Sequence, residues 1–357
     1  MKKFFLRPRT LGILFSLYFC GFLVYANIQK PRILILHSYD KEYAWSRDVS
    51  KGVHRILDKY PQYSIKWHYM DTKRRTTERY KKTAAAAAIS LIKRWEPHVL
   101  IAIDDNAQSL VATKFIDYEF PQIVFSGVNG TREKYGYDKA KNVTGILERL
   151  ELNAIKDLVT KISTKKQIRI ALVTDHSPTS TLVHKEVEFY PNWKPAKIVY
   201  MKDAKTFDEW KTAIKHANKV ADILLFTNYH TVARSESKKE KVPPGELIKW
   251  TMRNTSLPNI GGWGFFVEDG GMISTGVSPF EQGEEAAKLA VMIIEKNLER
   301  NQEKIIQASD IPYKTTRQFI TYARKSQLDK VGFQLPKVYE AFARATNNYY
   351  IDEEKSQ

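Results

Sequence analysis

From Pro31 onward the chain alternates short apolar runs with longer stretches in which apolar residues recur every three or four positions. ILIL at 33–36, VLIAI at 99–103, IALV at 170–173 and ILLF at 223–226 show no polar alternation. Strands of that kind lie in parallel sheets whose two faces are both covered by helices. The pattern predicts strands at 33–37, 64–70, 99–103, 123–126, 169–174, 197–201, 223–226, 259–261 and 272–275. Helices are expected between them, at 45–59, 77–95, 107–118, 152–162, 179–189, 206–218, 245–254 and 280–297. The alanine run at 84–88 belongs to one of these helices, where small residues allow close packing on the sheet. The βα units fall into two batches separated near 142–145, so the expected fold class is α/β with two Rossmann-like lobes of parallel sheet.

The N-terminus departs from this rhythm. Lys2, Lys3, Arg7 and Arg9 precede an uncharged apolar run from Leu11 to Tyr25, and small Ala26 follows. That order of basic, apolar and small residues is expected of a secretory signal peptide at 1–26, with the mature chain starting at Asn27; an uncleaved anchor is the alternative. Either way the bulk of the protein is expected in the periplasm. Cys20 lies inside this segment, which leaves the mature chain without a thiol or a disulfide. With 43% hydrophobic residues in 357, two ordinary cores suffice and global disorder is excluded. Net charge is +17, of which the leader supplies four, and the excess concentrates at 73–82 (KRRTTERYKK) and 238–241 (KKEK). In an exported protein such runs read as solvated faces, so no nucleic acid partner is expected.

Ligands of open α/β sheets bind beyond the carboxyl ends of the strands, where helix N-termini point their amides. This sequence places Ser38, Tyr39, Asp40, Tyr43 and Trp45 after the first strand, Asp104, Asp105 and Asn106 after the third, and Gly127-Val128-Asn129-Gly130 after the fourth. The second batch supplies Asp175 through Thr181, then Thr227-Asn228-Tyr229-His230, then Gly262-Trp263-Gly264 with Glu268 and Asp269 behind. Ser38, Asp105, Asn106, Ser177 and Thr179 are equally suited to capping helices, and the aromatics to packing at a sheet edge. Phosphate-loop, dinucleotide, zinc-protease and nucleophile-elbow motifs are all missing from the sequence. His37, His176 and His230 sit at strand ends near Asp104, Asp105 or Asp175, but no spacing fixes a metal or catalytic set. Neither cofactor nor metal is expected.

"ILILHSYDKEYAW" at 33–45, "PHVLIAIDDNAQSLVATKF" at 97–115, "PQIVFSGVN" at 121–129, "NVTGI" at 142–146 and "FITYARKSQLDKVGFQLP" at 319–336 resemble the extracytoplasmic solute-binding proteins of an ABC-transporter family. Their fold is the type I periplasmic binding protein fold, and the resemblance covers about 32–336. It implies two α/β lobes joined by three crossovers, near 142–145, 275–278 and 312–317, with a solute in the cleft between them. Lobe one would comprise 27–143 and 278–312, and lobe two 144–277 and 313–340, with a tail at 341–357. Family ligand positions fall on Ser38, Tyr39, Asp105, Asn106 and Asn129 in lobe one, and on Ser177, Thr179, Ser180 and Asn228 in lobe two. Tyr43, Trp45 and Trp263 would cover an apolar part of a small polar or aromatic solute. The implied role is non-enzymatic and the protein monomeric, delivering its solute to the membrane permease of an ABC importer. The alternatives are a sensing module for a membrane receptor kinase and, less expected, an α/β enzyme using Asp104 or Asp105 with a histidine. Gly127-Val128-Asn129-Gly130 replaces an aspartate-proline turn frequent in the family.

Overall fold

The computed structural model describes residues 8–163, 165–298 and 306–351. Lys2, Lys3 and Arg7 of the expected leader, and 352–357 of the expected tail, lie outside the described residues. Helix α1 (Pro8–Ile28) leaves side chains such as Leu11, Phe15, Phe22 and Tyr25 exposed, and only three residues separate it from the first strand. Among the described residues no helix is long and apolar enough to cross a membrane.

The first sheet is built from β1 (Arg32–His37), β2 (Ser64–Tyr69), β3 (Val99–Ile103), β4 (Gln122–Val128) and β5 (Val143–Leu147). Between them run α2 (Ala44–Leu57), α3 (Glu78–Trp95) and α4 (Asp104–Leu110). The second half continues with α5 (Leu152–Ile162), β6 (Ile168–Asp175), α6 (Pro178–Glu188), β7 (Ala196–Ala204), α7 (Phe207–Val220), β8 (Ile223–Phe226), α8 (Pro244–Arg253), β9 (Asn259–Gly261), α9 (Phe265–Glu268) and β10 (Ile273–Val277). The chain then runs through α10 (Pro279–Leu298), β11 (Lys314–Thr315), β12 (Phe319–Arg324), α11 (Lys325–Lys330), α12 (Lys337–Ala345) and β13 (Tyr349–Tyr350).

Strand order is β11-β5-β4-β3-β1-β2 in one sheet and β13-β12-β10-β9-β8-β6-β7 in the other. Every pairing is parallel except β10 with β12. Ile33 to Leu36 and Val99 to Ile103 are fully buried, as expected of strands covered on both faces. The last long helix, α10, returns to the first lobe and lies against α2 so closely that a Cβ on Gly283 would stand 2.0 Å from the Val49 carbonyl oxygen.

Three expectations are corrected here. Val143–Leu147 is a strand of the first sheet, pairing with β4, so the first crossover follows Leu147 instead of occupying 142–145. The expected helix at 107–118 starts earlier and stops at Leu110, where Val111 leaves helical geometry and a short 3-10 turn, Ala112–Phe115, follows. The segment 319–324 is an antiparallel strand of the second sheet, and part of the expected tail forms α12 and β13, which pack on β12.

The crossovers therefore run from β5 to α5, from β10 to α10 and from β11 to β12. Each is pinned by hydrogen bonds: Leu150 N donates to Glu186 Oε1 at 3.0 Å, Gln318 N donates to Glu281 Oε2 at 2.9 Å, and Ser278 N donates to the Gln318 carbonyl at 3.1 Å.

Candidate functional site: the cleft between the lobes

The carboxyl ends of β1, β3 and β4 face those of β6, β8 and β9, and the loops that leave them meet in one cleft. Tyr39, Tyr43, Trp45, Lys73, Asp104, Asn129 and Glu148 line its depth from the first lobe, and Thr179, Asn228, Trp263 and Phe265 from the second. The walls have closed on one another, leaving a void of about 20 Å³, room for about one water. Cavities of about 320 Å³ and about 590 Å³ flank it, and Lys73 lines all three.

Local sequence explains how the side chains reach this point. Asp104 takes a left-handed backbone (φ 66°) between β3 and α4, which turns its carboxylate back toward Trp45, whose Nε1 donates to Oδ1 at 2.8 Å. Gly127 leaves room for that carboxylate, because a Cβ there would stand 2.9 Å from Asp104 Oδ1. Glu148 is the first residue after β5 and accepts from both lobes: Asn129 Nδ2 at 3.1 Å and Trp263 Nε1 at 2.7 Å. Trp263 in turn stacks on Phe265, with ring centroids 5.8 Å apart. Tyr43 meets His230 edge-on across the cleft at 4.9 Å, and Tyr39 reaches the Thr179 side chain.

The electrostatics are those of charged groups withdrawn from water. Burial raises the Asp104 carboxyl well above its ordinary range, against the opposing pull of Lys73 and the Trp45 N–H. Glu148 is raised by burial and by Asp104, again against a hydrogen bond, here from Trp263. Lys73 is pushed down by burial, while Asp175, Asp104 and Glu148 push it back up. Three buried acceptor oxygens lining the deep void have no hydrogen-bond partner among the described residues: Asp104 Oδ2, Asn129 Oδ1 and Asn228 Oδ1.

The candidate residues divide into two groups. Tyr39, Tyr43, Trp45, Asn129, Thr179, Asn228 and Trp263 converge on the deep cleft, and Asn106 and Ser177 line only the smaller flanking cavity, that of about 320 Å³. Ser38, Asp105 and Ser180 serve the framework. Ser38 Oγ donates to the Ile103 carbonyl at 2.7 Å and accepts from Ala107 N at 2.7 Å, and it lines none of the three cavities. Asp105 borders the flanking cavity, yet its carboxylate accepts from Tyr135 Oη at 2.5 Å, Gly130 N at 3.0 Å and Asn129 N at 3.3 Å, fixing the loop after β4. Ser180 Oγ donates to Asp175 Oδ1 at 2.6 Å inside the second lobe.

Sequence reasoning missed four site residues. Lys73 stands in a basic run read as a solvated face, yet it is 7% exposed. Glu148 and Phe265 stand in stretches to which the sequence pattern assigns neither strand nor helix, and Asp104, placed at a strand end, is not among the expected ligand positions. None of the three strand-end histidines is hydrogen-bonded to Asp104 or Asp105. His37 contacts the Ser50 hydroxyl at 3.1 Å and stacks on Tyr69, His176 faces Asp203 at 3.7 Å, and His230 packs against Tyr43, Tyr229 and Phe265.

No family model and no curated protein matches the sequence. Solved structures do match in fold. A conserved domain protein from Vibrio cholerae superposes with a TM-score of 0.66 at 14% identity, covering 88% of this chain and 98% of its own. A ligand-free, open substrate-binding protein with adhesive properties from Clostridium difficile gives 0.63 at 17% identity, covering 91% and 100%. A domain from Streptococcus pneumonia in complex with L-Trp gives 0.64 at 13% identity, covering 88% and 98%. Two parallel-dominated sheets, three crossovers and these superpositions together give the chain the fold of the type I periplasmic solute-binding proteins.

Proposed function

We propose that this protein is an extracytoplasmic solute-binding protein that captures a small solute between its lobes and presents the closed form to the permease of an ABC importer. The observation that carries this reading is the convergence of five aromatic side chains, Tyr39, Tyr43, Trp45, Trp263 and Phe265, with partnerless buried polar atoms from both lobes at one closed cleft. Aromatic walls with a few fixed polar groups are the usual make-up of a small-molecule site. Closure about three pinned crossovers is a hinge motion, which a solute drives by contacting both lobes at once. The superposition on a substrate-binding protein and on an L-Trp complex supports the same reading. The exposed apolar side chains of α1 support export to the periplasm by a signal peptide.

Trp45 and Trp263 make the test direct. A thermal-shift and tryptophan-fluorescence screen against amino acids, amines, nucleosides, sugars and small anions is expected to give at least one class that both stabilises the protein and changes its emission. Folded protein that responds to none of them would overturn the proposal.

A further inference from the structure

We propose that the solute carries a protonated amine or guanidinium group, and that Lys73, as it lies in the closed cleft, occupies the seat this group would take. The inference rests on the cleft being the solute site, and it narrows which solutes fit.

Lys73 is held in an unusual way. Its ammonium stands 4.7 Å from the ring centroids of both Tyr39 and Tyr43 and donates to the Tyr43 hydroxyl at 3.1 Å. Among the described residues no carboxylate forms an ion pair with it, although a buried ammonium ordinarily has one. Two aromatic faces make a cation seat, and Asp104, Glu148 and Asp175 favour positive charge at that point. The lysine fills this seat without meeting the acceptors around it. Asp104 Oδ2, Asn129 Oδ1 and Asn228 Oδ1 stay unsatisfied, and leaving buried acceptors unmet is costly.

A solute head that brings positive charge together with several N–H donors supplies what the tethered lysine cannot. An anionic head would face the carboxyl groups of Asp104 and Glu148 and two further acceptors, Asn129 Oδ1 and Asn228 Oδ1. A neutral hydroxyl could satisfy an acceptor but would leave the seat without its charge. Because Lys73 borders the deep void and both flanking cavities, its departure would also join them into one volume for the rest of the solute.

Calorimetry and thermal shifts with charge-matched probes test this. Lys73→Ala empties the seat, so n-propylammonium is expected to stabilise that variant, more than it stabilises the wild type, whereas n-propanol and propionate at the same concentration do not. Wild-type protein is expected to prefer tryptamine over tryptophol and indole-3-propionate by at least about tenfold. Lys73→Ala should tighten tryptamine binding by about tenfold, because an internal competitor is gone. Asp104→Asn should erase the preference for the amine. Lys73→Met keeps the bulk and loses the charge, and it too is expected to bind tryptamine more tightly than wild type, so a folding defect in the alanine variant leaves the test intact. Equal binding of the three charge types, weaker amine binding in both Lys73 variants, or no propylammonium response in folded Lys73→Ala overturns the inference. If other solutes still bind between the lobes, the solute-binding proposal stands without it; silence across the wider screen removes both.

Discussion

Trp263 and Ser38 show how differently two strand-end residues can be employed. The indole N–H of Trp263 crosses the cleft to Glu148, so Trp263→Phe keeps the ring and removes one of the carboxylate's two partners. A lost hydrogen bond to a buried carboxyl costs about 1–3 kcal/mol, here felt as lost preorganisation of the floor of the site, and isothermal titration is expected to show solute binding weakened by about tenfold or more. Ser38→Ala removes a hydroxyl that ties β1 to β3 and α4. It is expected to lower stability in urea unfolding by about 1–3 kcal/mol while leaving solute affinity of the folded protein unchanged. A loss of affinity with unchanged stability would restore Ser38 to the cleft. The aromatic half of the site was legible in the sequence, since Tyr39, Tyr43, Trp45 and Trp263 all stand at strand ends, although packing at a sheet edge would have explained them there as well. The charged half was not. Nothing local distinguishes buried Lys73 from its exposed neighbours Arg74 and Arg75; it is the fold around the loop after β2 that withdraws it from water.

At the scale of elements, uninterrupted apolar strands were the clearest signal. ILIL, VLIAI, IALV and ILLF all lie in strand cores, because a strand buried on both faces has no room for polar residues. The strands that escaped notice lack that signature: VTGIL carries Thr144 and Gly145, and FITYAR belongs to an antiparallel pair with a partly exposed face. The assignment of α10 to the first lobe depends on two glycines. A Cβ on Gly52 would lie 2.3 Å from the Phe280 carbonyl oxygen, and the Gly283 contact with Val49 is closer still, so backbone on both sides leaves no slack. Gly283→Ala is expected to destabilise the protein by at least about 1–3 kcal/mol in thermal melts. Gly245→Ala, where the nearest atom is 3.8 Å away, should stay within about 0.5 kcal/mol. Equal tolerance at both positions would contradict this tight helix pairing.

For the whole molecule, the crossovers are where stability and pH meet. Burial lifts the Glu186 carboxyl, acceptor for Leu150 N in the first crossover, to about 7 from an ordinary 4.5. An acid raised in the folded state holds its proton more tightly there, so its contribution is fully present below about pH 4.5 and is lost as pH rises toward about 7. The span corresponds to at most about 3 kcal/mol. Denaturant unfolding of wild type and Glu186→Gln between pH 5 and pH 8 is expected to show wild type losing stability relative to the variant as pH rises; parallel curves would remove Glu186 from that role.

Glu148 adds a mechanical consequence. It directly follows β5, at the start of a crossover, yet its carboxylate grips Trp263 of the opposite lobe. A clasp mounted beside the fulcrum travels little when the far rim swings, so this bond can outlast the Tyr43–His230 contact as the jaws part. The open protein would then keep the floor of its site assembled, and an arriving solute would meet a prebuilt base and need only draw down the lid.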